Sequence, residues 1–398
     1  MITLILLVLI TALLIWSFGG YALVMGVIGR WAADQPVPSS FQPFFSVLIP
    51  TYNEASVIGK RIENLLTLEY PKDRFEILIV DSGSTDGTAD AVQDLIRTRG
   101  QEVPPITLVL EKERSGKGSA INAGKSVARG EIILVSDANA VFHLGVLGIL
   151  GSAFANPNLG GVGGRYCVGN PEQESTEGAS FYWDLECLMR GGEAALDSAC
   201  LFHGEINAWR RDLVDADPSM LSEDLDMAIR IRRSGKKIGY EPLARVYEPA
   251  ATTRRDQITQ RRRTATGTIQ AIGKHLPYLL THPGWYTWVI VPSHKILPLL
   301  TPLFLLMIPL LYVATGDLQV ILVHAVISMV VLGLVLAGLR SLLRREPCGS
   351  IRRPPLRLGY IMGYVVLNEL LIVMAWWDFL TGRYTVLWEK VKSTRNQA

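Results

Sequence analysis

From Leu4 to Gly29 the chain carries no charged residue, and no other feature restricts its fold so strongly. In hydrocarbon every backbone N–H and C=O must be satisfied within the segment, so an apolar run of this length folds as a helix that crosses the bilayer. A secretory signal would have a basic start, a shorter apolar core and a small-residue cleavage site. This segment has no basic start and runs too long, which predicts a retained membrane helix over 1–29. Three more apolar stretches close the chain: "WVIVPSHKILPLLTPLFLLMIPLLYV", "LQVILVHAVISMVVLGLVLAGL" and "LGYIMGYVVLNELLIVMAWWDFL". Pro292, Pro298, Pro302 and Pro309 in the first are tolerated where neighbouring groups or water take up the freed carbonyls. Together they predict about three C-terminal membrane helices over 285–382 and then a basic tail over 383–398.

The segment "RSLLRREPCGSIRRPPLR" between the last two stretches sets only Glu346 against its arginines, so the positive-inside rule places it in the cytoplasm. Counting back two crossings puts the middle of the chain in the cytoplasm as well, and Arg30 at the end of the first helix agrees. The expectation is a multi-pass protein of the cell membrane with a cytoplasmic middle domain. Four crossings would leave the basic tail outside. Either the tail is an exception, or the Pro-rich segment or the one bearing Glu369 does not fully cross. At 398 residues, 49% hydrophobic and a mean hydropathy of +0.25, the chain is too apolar for one soluble domain. The apolar excess sits at the ends, and the region from Phe45 to Tyr278 has ordinary polarity and room for its own core. A net charge of +2 gives no sign of a nucleic-acid partner. The four cysteines form no C-x-x-C pair, so neither a zinc site nor a disulfide framework is indicated and free thiols are expected.

Within the middle region, "FSVLIPTYNEASVIGKRIENLLTLEYP" reads as a buried strand, a turn at Pro50–Asn53 and a helix with Val57, Ile58, Ile62, Leu65 and Leu66 at helical spacing. "FEILIVDSGSTDGTADAVQDLIRTRG" and "ITLVLEKERSGKGSAINAGKSVARG" repeat the pattern, and "EIILVSDANAVF" is a fourth strand. Strands alternating with helices predict an α/β fold, a Rossmann-like, mostly parallel sheet with helices on both faces. Ligands of such sheets sit beyond the carboxyl ends of the strands, here Thr51–Glu54, Asp81–Asp86 and Asp137–Asn139.

Asp81, Ser82, Ser84, Thr85 and Asp86 crowd one turn, where Asp86 or Thr85 suits an N-cap. Asp81 is not needed as a cap, and its carboxylate can accept hydrogen bonds from a nucleobase or ribose. "SGKGSAINAG" lacks the spacing of a P-loop, and no strand leads into G-x-G-x-x-G, so neither NTPase nor dinucleotide chemistry is indicated. Lys117 fits a solvated loop lysine or, set among glycines before a helix N-terminus, a phosphate contact. Asp137 and Asn139 offer oxygen ligands to Mg²⁺ or Mn²⁺, which prefer oxygen and take phosphates as further ligands. In "LSEDLDMAIRIRR", Ser222 suits an N-cap and the acids Glu223, Asp224 and Asp226 complement the helix dipole. Three acids exceed what a cap needs, and a carboxylate beside a hydroxyl is what general-base catalysis requires. Arg261, Arg262 and Arg263 lie within an interfacial amphipathic region over 256–284, just before its amphipathic run, and one of them also fits a diphosphate clamp.

Taken in order, these motifs resemble the membrane-bound glycosyltransferases of family 2, inverting enzymes of GT-A fold, over about Ser46–Gln270. "VLIPTYNE" is similar to the family's opening strand, "VDSGSTDGT" to its nucleotide turn and "GKGSAINAG" to its third loop. "SDAN" stands at its Asp-x-Asp, "SED" at its catalytic-base motif and "QRRRT" at its Gln-x-x-Arg-Trp. The resemblance implies a catalytic domain over 45–255 and a hexosyltransferase of the EC 2.4 class. It implies a nucleotide-sugar site made by Pro50, Tyr52, Glu54, Asp81, Ser82, Lys117, Asp137 and Gln260. It also implies a divalent cation, Mg²⁺ or Mn²⁺, at Asp137 and Asn139, and catalysis by Asp224 with Glu223 and Arg263. Asn139 replaces the second acid of the metal motif, and Thr264 replaces the Trp that stacks on the acceptor in polymer-making members. The expected reaction is therefore transfer from a nucleotide sugar, UDP-linked by family analogy, to a lipid, lipid-linked or glycan acceptor at the cytoplasmic membrane face. The alternatives are a processive exopolysaccharide synthase and a non-catalytic nucleotide-sugar-binding scaffold. His203 and Trp183 are candidate acceptor contacts, with a satisfied buried histidine and a packing tryptophan as the plainer readings. Glu369 and Asn368 lie mid-span, where an ionisable group is either functional or bonded to a neighbouring helix.

Overall fold

The computed structural model describes residues 2–32, 40–100, 102–169, 177–343, 358–387 and 392–395. Helices α1 (Ile2–Ile15) and α2 (Tyr21–Trp31) are joined by a π-turn into one apolar rod. The domain then runs β1 (Phe45–Thr51), α3 (Ile58–Leu66), β2 (Phe75–Asp81), α4 (Thr88–Arg99), β3 (Ile106–Leu110), α5 (Lys117–Val127) and β4 (Ile132–Val135). It continues with β5 (Val141–Phe142), α6 (Val146–Ala153), β6 (Leu159–Val168), α7 (Glu177–Leu196), β7 (Asn207–Arg210), α8 (Glu223–Arg233) and β8 (Lys237–Glu248). The long helix α9 (Arg254–Thr281) leads to α10 (Leu297–Thr315), α11 (Leu318–Leu343) and α12 (Leu358–Thr381).

The eight strands form one sheet in the order β3-β2-β1-β4-β7-β6-β8-β5. β1, β2 and β4 are buried along their whole length, as strands covered on both faces must be, which is why they read as unbroken apolar runs. The first four strands in this order are parallel, β7 enters antiparallel, and β6 and β8 pair in parallel, so the sheet is mixed. Thr51 pairs with Asp81 and Leu48 with Val135, which sets the polar ends of β1, β2 and β4 on one edge. The stretch Glu131–Phe142 is not one strand. It breaks at a turn closed by Ala140 N–H on the Asp137 carbonyl, and β5 pairs with β8 at the far side of the sheet.

Three helices among the described residues are long and apolar enough to cross a membrane: Ile2–Trp31, Tyr286–Thr315 and Leu318–Leu343. The first packs along α7, where an added Cβ on Gly192 would stand 2.1 Å from the Met25 carbonyl oxygen. At this seam the Tyr21 hydroxyl donates to Glu193 (2.8 Å), and His294 sits between Glu193 (2.6 Å) and Glu186 (3.1 Å). Gly192→Ala must therefore spread two backbones, an overpacking cost of about 1–3 kcal/mol. The expected result is a lowered melting temperature in thermal unfolding of the purified protein; an unchanged one would contradict this packing.

Helix α9 begins at Thr253, whose hydroxyl accepts from Asp256 N–H, and it covers most of the expected interfacial stretch. It lies directly on the start of α8: a Cβ on Gly267 would stand 2.9 Å from Cβ of both Leu221 and Ser222. Arg262 pairs with Asp378 and Arg261 with Asn368, so two of the three clustered arginines hold α12. Glu369 accepts from Thr301 of α10 at 2.7 Å, which realises the bonded-neighbour reading of that acid. The tail returns to α9 and to the sheet domain. Ser393 N–H donates to Asp256 (3.1 Å), and Arg395 clasps Glu54 (2.9 Å). Cys187 and Cys200 are free and buried, whereas Cys167 is disulfide-bonded, against the expectation of free thiols; sequence spacing says nothing of a pair closed by tertiary folding.

Candidate active site

The strand ends surround a small cleft, open to solvent, lined by Pro50, Thr51, Tyr52, Glu54, Ser82, Arg114, Gly116, Lys117 and Ala120. Five of the residues predicted for a nucleotide sugar (Pro50, Tyr52, Glu54, Ser82 and Lys117) are in that lining. Thr51, at the expected strand end, is there too, whereas Arg114 was not singled out in the sequence; its guanidinium lies 3.8 Å from the centre of the Tyr52 ring. Asp81 is buried and holds its own turn together, accepting from Ser84 N–H (3.0 Å) and Thr51 Oγ1 (3.3 Å). Asp86 accepts from Thr88 N–H (3.1 Å), but the N-cap of α4 is Gly87 in the left-handed region, so neither Asp86 nor Thr85 holds the expected cap position.

Lys117 joins the cleft to the acids. Its Nζ lies 2.9 Å from Asp137 Oδ1 and 3.4 Å from Glu223 Oε1. Burial alone would make this ammonium lose its proton more easily, but the carboxylates of Asp137 and Glu223 outweigh burial and hold it charged. The end of β4 and the start of α8, far apart in sequence, thus meet on one cation. Asp224 is half-buried beside them and accepts from Ser222 Oγ (2.6 Å) and Leu225 N–H (2.8 Å), both on Oδ1. Ser222 occupies the N-cap position but spends its hydroxyl on Asp224 rather than on the backbone. Asp226 is fully buried and engages Lys274 (2.6 Å) and His275 (2.8 Å), which locks α8 to α9.

Asp137, Glu205 and Glu248 bring carboxylate oxygens within 4.8 Å of one another. Topology explains the meeting: β4 ends, β7 begins and β8 ends at the same sheet edge, with Asn207 opposite Val135. This oxygen set fits a hard divalent cation. Without one, burial and then the neighbouring carboxylates push Glu205 well above the usual range; burial and then Asp137 push Glu248 to about 7. Asn139 turns its Nδ2 onto Glu248 Oε1 at 2.8 Å.

Other predicted residues stand apart from the cleft lining. Gln260 is exposed and Arg263 half-buried on α9; Arg263 is one helical turn from Gly267 and so shares the face that lies on α8. His203 is buried with its ring near Tyr166 (5.9 Å) and Trp183 (5.0 Å), and neither ring nitrogen has a hydrogen-bond partner among the described residues. Burial, then the Arg190 charge, holds it well below the usual histidine range, so it is neutral. Trp183 packs against the core and Tyr166.

A family model described as glycosyl transferase family 2 matches residues 46–216, and one described as glycosyl transferase family group 2 matches residues 132–341, more than half of the chain. The chain belongs to the family 2 glycosyltransferases. It is 31% identical over 253 residues to a probable glycosyltransferase, YdaM, of Bacillus subtilis, covering 59% of this chain and 57% of that one. It is 27% identical over 352 residues to the beta-monoglucosyldiacylglycerol synthase of Nostoc, covering 84% and 72%. The poly-beta-1,6-N-acetyl-D-glucosamine synthase of Staphylococcus aureus is 27% identical over 230 residues, covering 55% and 53%. This glycosyltransferase thus spans little more than half the length of several curated relatives, 57% of YdaM and 52% of the Synechocystis monoglucosyldiacylglycerol synthase. Among solved structures, the mannosyltransferase PcManGT of Pyrobaculum calidifontis, in complex with GDP-Man and Mn²⁺, aligns over 95% of this chain and 100% of its own. The TM-score is 0.70 at 24% identity, which bears out the GT-A fold.

Proposed function

We propose that this family 2 protein transfers a sugar from a nucleotide-sugar donor to a lipid or lipid-linked acceptor at the membrane face. The observation that carries the reading is the bridge of Lys117 between Asp137 and Glu223, which joins the cleft to the acidic start of α8. The cleft holds the nucleotide, with the Tyr52 ring and the Ser82 turn against it. Lys117 orients the diphosphate, and a divalent ion at Asp137 would supply further charge neutralisation there. Asp224 accepts the proton of the acceptor hydroxyl on Oδ2, since Oδ1 is taken. The hydroxyl oxygen bonds to the anomeric carbon as the bond to diphosphate breaks, and the anomeric configuration inverts. Arg263, on the α9 face that meets α8, serves the departing diphosphate.

The acceptor reading rests on α9 passing from the acidic site to the apolar helices, and on the monoglucosyldiacylglycerol synthases among the relatives. Because Arg395 lies on Glu54, both the domain and the tail belong to one membrane side. An even number of crossings then separates them. The test is the purified protein in lipid vesicles with labelled UDP- and GDP-sugars and Mn²⁺. Label in the organic-soluble fraction with matching diphosphate release supports the reading, long water-soluble polymer favours the processive alternative, and binding without turnover favours the scaffold.

A further inference from the structure

Two buried acceptors at the acidic edge lack a donor. Glu248 Oε2 and Asn139 Oδ1 have no hydrogen-bond partner among the described residues, on side chains only 7% and 5% exposed. Buried polar atoms are nearly always paired, and an orphan calls for an ion or a water in its place. Both atoms belong to one arrangement. The Asn139 carboxamide faces the carboxylate triad, with its Nδ2 2.8 Å from Glu248 Oε1. The third acid is fixed from behind, because the Ser136 hydroxyl donates to the Glu205 backbone carbonyl at 2.7 Å. Lys117 engages Asp137 through Oδ1.

We propose that Asp137, Glu205 and Glu248 form the divalent-cation seat, that Asn139 positions Glu248 instead of sharing the ion, and that the ion is seated before the donor. This rests on the glycosyltransfer reading for its purpose, though not for its geometry. Three carboxylates whose oxygens lie within 4.8 Å repel one another, and the single charge of Lys117, engaged on Asp137 Oδ1, offsets that repulsion only in part. A seat that offers one carboxylate holds its ion only with the help of substrate phosphates, whereas three carboxylates hold it from the protein side alone. The chain thereby makes good the acid it lacks at Asn139 with two others, Glu205 from the loop before β7 and Glu248 from the end of β8. The amide of Asn139 is then required as an amide: only a donor on that side chain orients Glu248.

The experiment titrates Mn²⁺ alone, with no nucleotide, into the purified full chain, reading free ion by electron paramagnetic resonance and heat by calorimetry. Glu205→Gln and Glu248→Gln keep shape and remove charge, and each is expected to weaken Mn²⁺ binding at least tenfold. Asn139→Asp loses the donor and sets a like charge beside Glu248; it is expected to weaken binding by about tenfold, in the range found when outer partners of a metal site are removed. If Asn139 were a ligand, Asn139→Asp would tighten binding and Glu248→Gln would leave it unchanged; either result overturns the proposal. Melting curves of the metal-free variants, expected at or above the wild-type temperature because a repulsive charge is gone in both Gln variants, show that they fold. Wild-type binding of Mn²⁺ that responds to the Gln variants, without any sugar turnover, would sink the functional reading and leave the seat standing. Turnover with Mn²⁺ binding indifferent to both variants would do the reverse.

Discussion

Asp224→Asn is expected to lower diphosphate release by about 10²–10⁴-fold, the range a positioned general base contributes, with the fold intact. The substitution keeps the Oδ1 acceptor, so Ser222 Oγ and Leu225 N–H retain their partner and the first turn of α8 is preserved. What is lost is the capacity to take a proton. Melting temperature and Mn²⁺ binding should match the wild type, while diphosphate release in the presence of donor and acceptor collapses. Normal turnover would remove Asp224 from the mechanism. Glu223→Gln differs, because Glu223 is buried and lies 3.4 Å from Lys117; it should weaken donor binding more than the chemical step.

Two residues further on, Asp226→Ala should do the opposite and damage the fold. Its carboxylate is fully buried with Lys274, His275 and Arg230 against it, and these contacts join α8 to α9. Removing it leaves the buried His275 without its partner while Lys274 keeps Asp217 and Arg230 keeps the Asp215 carbonyl, a loss of about 1–3 kcal/mol. Burial alone would raise the Asp226 carboxyl, but hydrogen bonds from His275 and Lys274 hold it below the usual range. Its stabilisation is therefore complete above the unfolded value of about 3.9 and is lost as pH falls through the lower folded value. In denaturant titrations Asp226→Ala should lower the unfolding midpoint at neutral pH and flatten the acid limb of stability against pH. Equal midpoints for Asp226→Ala and Asp224→Asn would contradict the division of labour between the two acids.

That division shows where sequence reading reaches its limit. "SED" and the acid after it point to one helix start, yet which acid stays partly exposed and which anchors the helix is decided by α9, some fifty residues on. The strand ends were legible because a fully apolar strand followed by a polar turn has one interpretation in a parallel sheet, and Asp81 and Asp137 fall at such ends. Glu205 and Glu248 were not legible. They stand in a loop and at the end of a half-exposed edge-side strand, and only the antiparallel entry of β7 and the register of β8 bring them to Asp137. The break of the fourth strand after Val135 was hidden by apolar residues on both sides of the turn. "QRRRT" announced a basic cluster, but the pairing of Arg261 and Arg262 with α12 depends on a helix more than a hundred residues away. The tail read as basic and misplaced for four crossings; its Arg395 on Glu54 gives that charge a partner in the catalytic domain.

The central claim is that these acids and Lys117 serve one transfer reaction into the membrane. The most direct test follows the label of each UDP- and GDP-sugar into the organic extract of vesicles bearing wild-type protein or Asp137→Asn. The account predicts organic-soluble labelled product that depends on divalent ion, with equimolar diphosphate, and its loss in Asp137→Asn. Label that stays on the nucleotide with every donor, or product formed equally by Asp137→Asn, would contradict it.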